Sequence, residues 1–233
     1  MDERSGGRLH AAVAAIGRPR RAADWGGQVC VACRDALAGV DSVALVLHGA
    51  GTLVDLVGYS DSFAAQIEDA QIVVGEGPGP TAFATGTTVR ATTGTYAFER
   101  WPMLAQEASR LGVGAMIALP LRVGGLRIGS LDLYRRHPGG LSAKVEGDAT
   151  LLAELISYTL IEDFALREPD GDPLATTRRD INVATGMIAA QLGISLDEAF
   201  LRLRAYAYAA ERPLLEVARS VLERRVDLDG ATE

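Results

Sequence analysis

Residues able to carry chemistry sit at a few places in this chain, and their spacing says what each could do. His10, His48 and His137 lie far apart and in unlike contexts, whereas acid–base work needs convergent groups within hydrogen-bond reach. Cys30 and Cys33 form a C-x-x-C. A zinc site needs four ligands, typically from two Cys or His pairs, and the chain has no second pair. A redox motif would set the first thiol at a helix N-terminus, where the dipole lowers its pKa. Here Val29, Cys30, Cys33 and Leu37 share helical spacing inside 27–37, so both thiols are expected as buried structural residues. The run Gly75-Glu76-Gly77-Pro78-Gly79-Pro80 is not a phosphate loop. Two prolines remove backbone donors, Glu76 has the wrong charge, and no G-K-[ST] follows; a turn bordering a pocket is expected. Nothing in these groups points to catalysis, a metal or a cofactor, and a non-enzymatic protein is expected.

Arginine and tyrosine near the C-terminus offer a different chemistry. Arg202 and Tyr206, like Arg204 and Tyr208, lie four apart and so pair on one helix face. A guanidinium beside an aromatic ring suits base stacking and phosphate contact, although either tyrosine could equally pack inside a bundle. Arg212 adds a further cation. Arg178 and Arg179 fall at a helix start, against the dipole, a cost that a bound anion would offset. The net charge of −7 argues at face value against a nucleic-acid partner, which needs basic surface. The charge is unevenly spread. Residues 174–226 hold eight arginines against six acids, while residues 1–173 hold 15 basic and 21 acidic residues. The acidic average therefore leaves room for weak, salt-sensitive nucleic-acid binding by the C-terminal part.

The elements that must position these groups are legible from periodicity. With 233 residues, 48% hydrophobic and 23% charged, the chain is globular and long enough for one large domain or a medium and a small one. No apolar stretch approaches the ~20 residues of a membrane helix. The apolar patch near Ala11–Ile16 is short and precedes Arg18, Arg20 and Arg21, the reverse of a secretory signal. With two cysteines, a cytoplasmic protein is expected, with no membrane association. Helices are expected over 27–37, 61–70 (capped by Ser60 or Asp61) and 100–111, and strands over 42–47, 53–58, 88–91, 113–121 and 126–134. The last two strands are joined by the hairpin turn Arg122-Val123-Gly124-Gly125. A long helix follows over about 142–167. Leu152, Ile156 and Thr159 at 3,4 spacing could form a dimer seam or pack on the helix's own sheet.

Glu168-Pro169-Asp170-Gly171-Asp172-Pro173 breaks that helix and marks a domain boundary. Beyond it, three helices are expected. The first covers 178–191 and ends at Gly193. The second opens at the capping box Ser195-Leu196-Asp197-Glu198, and the third follows Pro213 over 214–226.

Two stretches resemble known families. Gly75-Glu76-Gly77-Pro78, Ala82-Phe83-Ala84-Thr85-Gly86 and Trp101-Pro102 resemble the middle of bacterial GAF sensor domains. So do Leu119-Pro120-Leu121-Arg122-Val123-Gly124-Gly125 and Gly129-Ser130-Leu131-Asp132-Leu133-Tyr134. The resemblance implies an α+β domain over 20–166, an antiparallel sheet flanked by helices, with room for a small-molecule effector and pairing through terminal helices. Residues 174–226 resemble the ANTAR module on Ile181, Ala184, Gly186, Met187, Ala199, Leu203, Arg204, Ala207, Leu214, Val217 and Ala218. That resemblance implies a small all-α three-helix bundle that binds paired RNA hairpins in leader transcripts and so prevents a terminator from forming. The expected RNA contacts are Arg178, Arg179, Arg202, Arg204, Tyr206, Tyr208 and Arg212. The chain thus reads as a ligand-modulated antitermination regulator, expected as a homodimer. Thr185 and Glu211 stand where relatives often carry basic or amide groups, which keeps a rival open: a sensor whose helical end docks protein partners.

Overall fold

The computed structural model describes residues 3–18, 24–48, 54–93, 96–165 and 174–226. Five strands form one antiparallel sheet in the order β2-β1-β5-β4-β3. They are β1 (Ser42–His48), β2 (Val54–Tyr59), β3 (Val89–Thr92), β4 (Ala115–Val123) and β5 (Leu126–Arg135). The α+β architecture expected for the N-terminal part is present. β4 and β5 are the foreseen hairpin, with Val123 opposite Leu126. The central strand β5 pairs with β1 on one side and β4 on the other.

Alternation along the strands sends side chains to two layers. Behind the sheet lie α1 (Glu3–Ile16), α2 (Trp25–Ala36) and α7 (Ala143–Ala165). They bury Val29, Cys30, Cys33, Leu152, Ile156 and Leu160 against Val43, Leu45, Ile117, Leu119, Leu131 and Leu133. Both thiols are buried and free, as their spacing suggested, and burial pushes Cys33 up to about 12. The sequence shows only a short apolar patch where α1 forms. That helix is held by Ala12 and Ile16 in the core and by the Trp25 indole donating to the Ile16 carbonyl at 3.3 Å. The backbones of α2 and β2 touch where Gly26 meets Val57 and Gly58, leaving no space for a Cβ on either glycine.

In front of the sheet lie α3 (Ser62–Val74), α4 (Pro78–Thr85), the short α5 (Tyr96–Glu99) and α6 (Pro102–Leu111). Asp61 caps α3 by accepting from the Phe63 and Ala64 amides at 3.1 Å. The expected turn at 75–80 is only partly a turn. After Gly77 the chain enters α4, with Pro78 at the first helical position, where its missing N–H costs nothing.

α7 corrects one expectation. Leu152 and Ile156 are fully buried against the chain's own sheet, so neither is available to a dimer seam; Thr159 is half-buried beside them. The helix side facing outward instead carries Leu151 and Tyr158, 47% and 57% exposed, with Leu155 half-buried between them. The expected boundary at 168–173 lies outside the described residues.

The C-terminal part is α8 (Leu174–Leu192), α9 (Leu196–Ala209) and α10 (Leu214–Leu222), three helices as expected. α9 opens on a complete capping box: Ser195 accepts from the Glu198 amide at 3.2 Å, and the Ser195 amide donates to Glu198 at 3.0 Å. The three helices close over Ala184, Ile188, Ala199, Phe200, Leu203, Ala207, Leu214, Val217, Ala218 and Val221, and one residue of α3, Val73, joins that cluster.

Candidate functional site

α9 presents its two arginine–tyrosine pairs on opposite flanks. At about 100° per residue, Arg202 and Arg204 point roughly 160° apart around the helix, as do Tyr206 and Tyr208. Arg202 is exposed; Tyr206 is half-buried against the bundle core. On the other flank Tyr208 is 38% exposed, while Arg204 lies against the N-terminal domain. Its Nε donates to the Val73 carbonyl at 3.0 Å, and its guanidinium carbon stands 5.8 Å from the centre of the Phe200 ring. Arg212 donates to the Ser220 hydroxyl at 2.9 Å and lies 4.0 Å from Glu216. Arg219 pairs with Asp180 at 3.0 Å. Arg178 and Arg179 sit on α8, but their side chains lie outside the described residues. The expected contacts are therefore not one surface: Arg202 and Tyr208 are open, Arg204 is engaged, and Arg212 is tied within the bundle.

The two departures from the ANTAR pattern acquire physical meaning. Thr185 is buried, and its hydroxyl donates to the Ile181 carbonyl at 2.8 Å. It therefore belongs to the bundle interior and not to its surface. Glu211 is exposed at the turn between α9 and α10 with a left-handed φ of 49°.

The contact between the two parts is built from helix ends. Val73 lies in the last turn of α3, whose carbonyls lack intrahelical partners, and the Arg204 guanidinium supplies a cationic donor there. Gly75 terminates α3 with a φ of 72°, and a Cβ at that position would run into the Arg204 guanidinium. In the opposite sense, α10 begins after Pro213, which offers no capping side chain. The Asp69 carboxylate of α3 fills that role, accepting from the Leu214 amide at 3.0 Å.

The inner side of α3 holds a second cluster that sequence reasoning missed. Glu68, Gln71, Asp132 and Tyr134 are all buried. The Tyr134 hydroxyl donates to Glu68; Gln71 Nε2 lies 3.3 Å from Glu68 and 3.1 Å from the Tyr134 oxygen. Ser130 donates to Asp132 Oδ2 at 3.0 Å, and the Gly79 amide of α4 donates to Gln71 Oε1 at 3.1 Å. Burial, then the neighbouring Asp132 carboxylate, push Glu68 well above the ordinary carboxylate range. Burial raises Asp132 to about 6, with Glu68 and Ser130 pulling part of the way back. Both carboxyls of this pair therefore hold their protons more tightly than they would in water. At the far end of β1, His48 stacks on Phe83 at 4.6 Å, and burial lowers it to about 4, so it is neutral. The signal for this cluster was the β5 alternation, in which Ser130, Asp132 and Tyr134 share one face of a strand too buried to present it to water. Among the described residues no group of three or more His, Cys, Asp or Glu could hold a metal ion, and no helix is long and apolar enough to cross a membrane.

A five-stranded antiparallel sheet with helices on both faces, followed by a three-helix bundle, defines a GAF-type domain joined to a small helical module. The GAF domain family model matches residues 28–160 and the ANTAR domain model residues 175–222. The chain belongs to the GAF domain family and carries an ANTAR domain after it, in the order of a GAF–ANTAR regulator. Solved structures agree on the fold. The free methionine-R-sulfoxide reductase from Neisseria meningitidis in complex with its substrate is 16% identical (TM-score 0.53), over 72% of this chain and 95% of that one. The GAF domain of the Acinetobacter phosphoenolpyruvate-protein phosphotransferase is 14% identical (TM-score 0.51), over 73% of this chain and all of that one. The A. aeolicus nlh2 GAF domain in an inactive state is 13% identical (TM-score 0.50), over 69% and 98%. No curated protein matches the chain.

Proposed function

We propose that this chain is a cytoplasmic, non-enzymatic regulator of transcription antitermination, whose ANTAR bundle binds paired RNA hairpins in leader transcripts. A small effector or a change of dimer geometry in the GAF domain sets that activity. The observation that supports the reading best is the ANTAR match over 175–222, which falls on three helices closed around one apolar core with Arg202 and Tyr208 left open. Solvent-facing guanidinium and phenol groups on a rigid helix are the parts needed to hold phosphate and stack bases. A module of such modest positive charge gains from pairing, because two linked modules bind two hairpins with a raised effective concentration. In the proposed homodimer the seam runs along the outward stripe Leu151–Leu155–Tyr158 of α7, in place of Leu152 and Ile156.

The test is a gel shift at stated salt with an RNA of two adjacent hairpins taken from upstream of the chain's own operon. Wild type is expected to bind at low salt, and Arg202→Ala to bind more weakly. Tyr158→Glu, which places charge in the seam, is expected to cost affinity through loss of the dimer, read in parallel by sedimentation. Absence of binding by the wild type at low salt overturns the RNA reading.

A further inference from the structure

We infer that α3 of the GAF domain is an internal docking site for the ANTAR bundle, and that RNA and α3 compete for the Arg204 flank of α9. The inference rests on the RNA-binding reading above and adds how that same site is regulated. Three observations carry it. The first is the seat itself. The Arg204 guanidinium lies over Gly75, where any side chain would collide with it, and donates to the Val73 carbonyl in the last turn of α3. The second is reciprocity. Arg204 of the bundle caps the end of α3, while Asp69 of α3 caps the start of α10. At two helix ends, one in each domain, one orphan group thus finds its partner in the other domain. The third is the apolar layer between these polar contacts, where Val73 enters the bundle core with Phe200, and Ile72 packs beside it.

Competition follows from the charge arithmetic of the seat. Among the described residues no carboxylate lies within 4.0 Å of Arg204, so its partner in the docked state is a neutral carbonyl. A phosphate offers a full anion and bidentate geometry, the stronger partner for a guanidinium. The terminal guanidinium nitrogens of Arg204 lie against Gly75, so α3 covers this side chain from an approaching phosphate. Docking therefore withholds Arg204 from RNA, while Tyr208 on the same flank stays open. The inner side of α3 carries Glu68 and Gln71, so the buried polar cluster and the seat of the bundle share one helix.

The experiment uses the full chain with two substitutions that touch only the GAF side, Asp69→Ala and Val73→Glu. Docking is read by hydrogen exchange in the first turn of α10, and RNA binding by titration of the two-hairpin RNA at fixed salt. Both variants are expected to speed exchange around Leu214 and to raise RNA affinity by about fivefold or more, the range of an ordinary interdomain coupling. Arg204→Ala is expected to speed exchange and yet lower affinity, because it removes the RNA contact along with the seat. An unchanged melting temperature for the GAF domain confirms that the two GAF-side variants fold. Faster exchange with unchanged or reduced RNA affinity in both GAF-side variants overturns the competition. Unchanged exchange overturns the docking. If no form of the chain binds RNA, the RNA reading and the competition both fall, and the exchange data still decide whether the bundle docks.

Discussion

Behind the sheet, α1, α2 and α7 bury an almost wholly apolar layer, whereas in front of it α3 and α4 close over two carboxylates, a tyrosine and a glutamine. Each layer shields one face of the same five strands, so the difference is not one of architecture. In the back layer Leu152, Ile156 and Leu160 of α7 fill the space over Leu131 and Leu133, while the front adds its polar cluster to an apolar one around Phe63, Ile67, Trp101 and Leu104. The front tolerates Glu68 and Asp132 at full burial, an arrangement that costs stability unless one carboxyl keeps its proton. It is also the front helix α3 that reaches the ANTAR bundle through Asp69, Val73 and Gly75. The back layer is held by apolar packing, and the front layer is the one that holds buried titrating carboxyls.

The sharpest way to break that comparison is to damage the back. Leu152→Ala removes a fully buried side chain from a close-packed layer and is expected to lower the unfolding free energy by about 3 kcal/mol, the middle of the range for such cavities. Urea melts check this, and a loss below about 1 kcal/mol would place the anchor elsewhere. The front should respond to pH instead. The unfolded chain releases the Asp132 proton near the usual aspartate value, while the folded chain holds it up to about 6, and burial raises Glu68 in the same direction. Across that window the native state binds more protons than the unfolded state, so stability falls as pH rises. Its slope is up to about 1.4 kcal/mol per pH unit for each proton retained. Asp132→Asn is expected to flatten the part of the curve below and around pH 6. Leu152→Ala should lower the whole curve without changing its slope. A wild-type curve flat between pH 4 and 7 would show that the front is not a proton-holding layer.

The sequence revealed most of the frame and little of the contact between its parts. Strands 42–47, 113–121 and 126–134, the long α7 and the Ser195 capping box were visible because each has a local signature: alternation, 3,4 spacing or a cap. α1 was not, because its two glycines and short apolar patch make a weak periodic signal that becomes a helix only against Trp25 and the core. Pro78 reads as a turn residue until the helix it starts is seen. Leu152 and Ile156 illustrate a deeper limit: 3,4 spacing says that a face is buried, not what buries it. Arg204 was named from its helix position, but its engagement by Val73 and Gly75 depends on residues about 130 positions away, which no local pattern encodes. Asp69 sits in an apolar helix with nothing in its neighbourhood to mark it as the cap of a distant one.

The smallest expected effect tests how completely the back of the sheet is packed. Gly147 lies in the first half of α7, and a Cβ there would meet nothing within 4 Å. It borders a cavity of about 260 Å³ shared with Leu133, Leu141, Thr150 and the Arg90–Glu146 ion pair. A glycine inside a helix is less favourable than alanine by ~1 kcal/mol, because it gives up more backbone freedom on folding. With no steric reason for glycine, Gly147→Ala should raise the unfolding free energy by about 0.5–1 kcal/mol and leave the pH slope untouched. The corresponding change at Gly75 should do the reverse, since its φ of 72° and the Arg204 guanidinium both oppose a side chain. Paired urea melts of the two variants would separate them by sign alone. If Gly147→Ala destabilised the chain, the space beneath α7 would have to be used by the folded protein, and the back layer could no longer be regarded as a passive anchor.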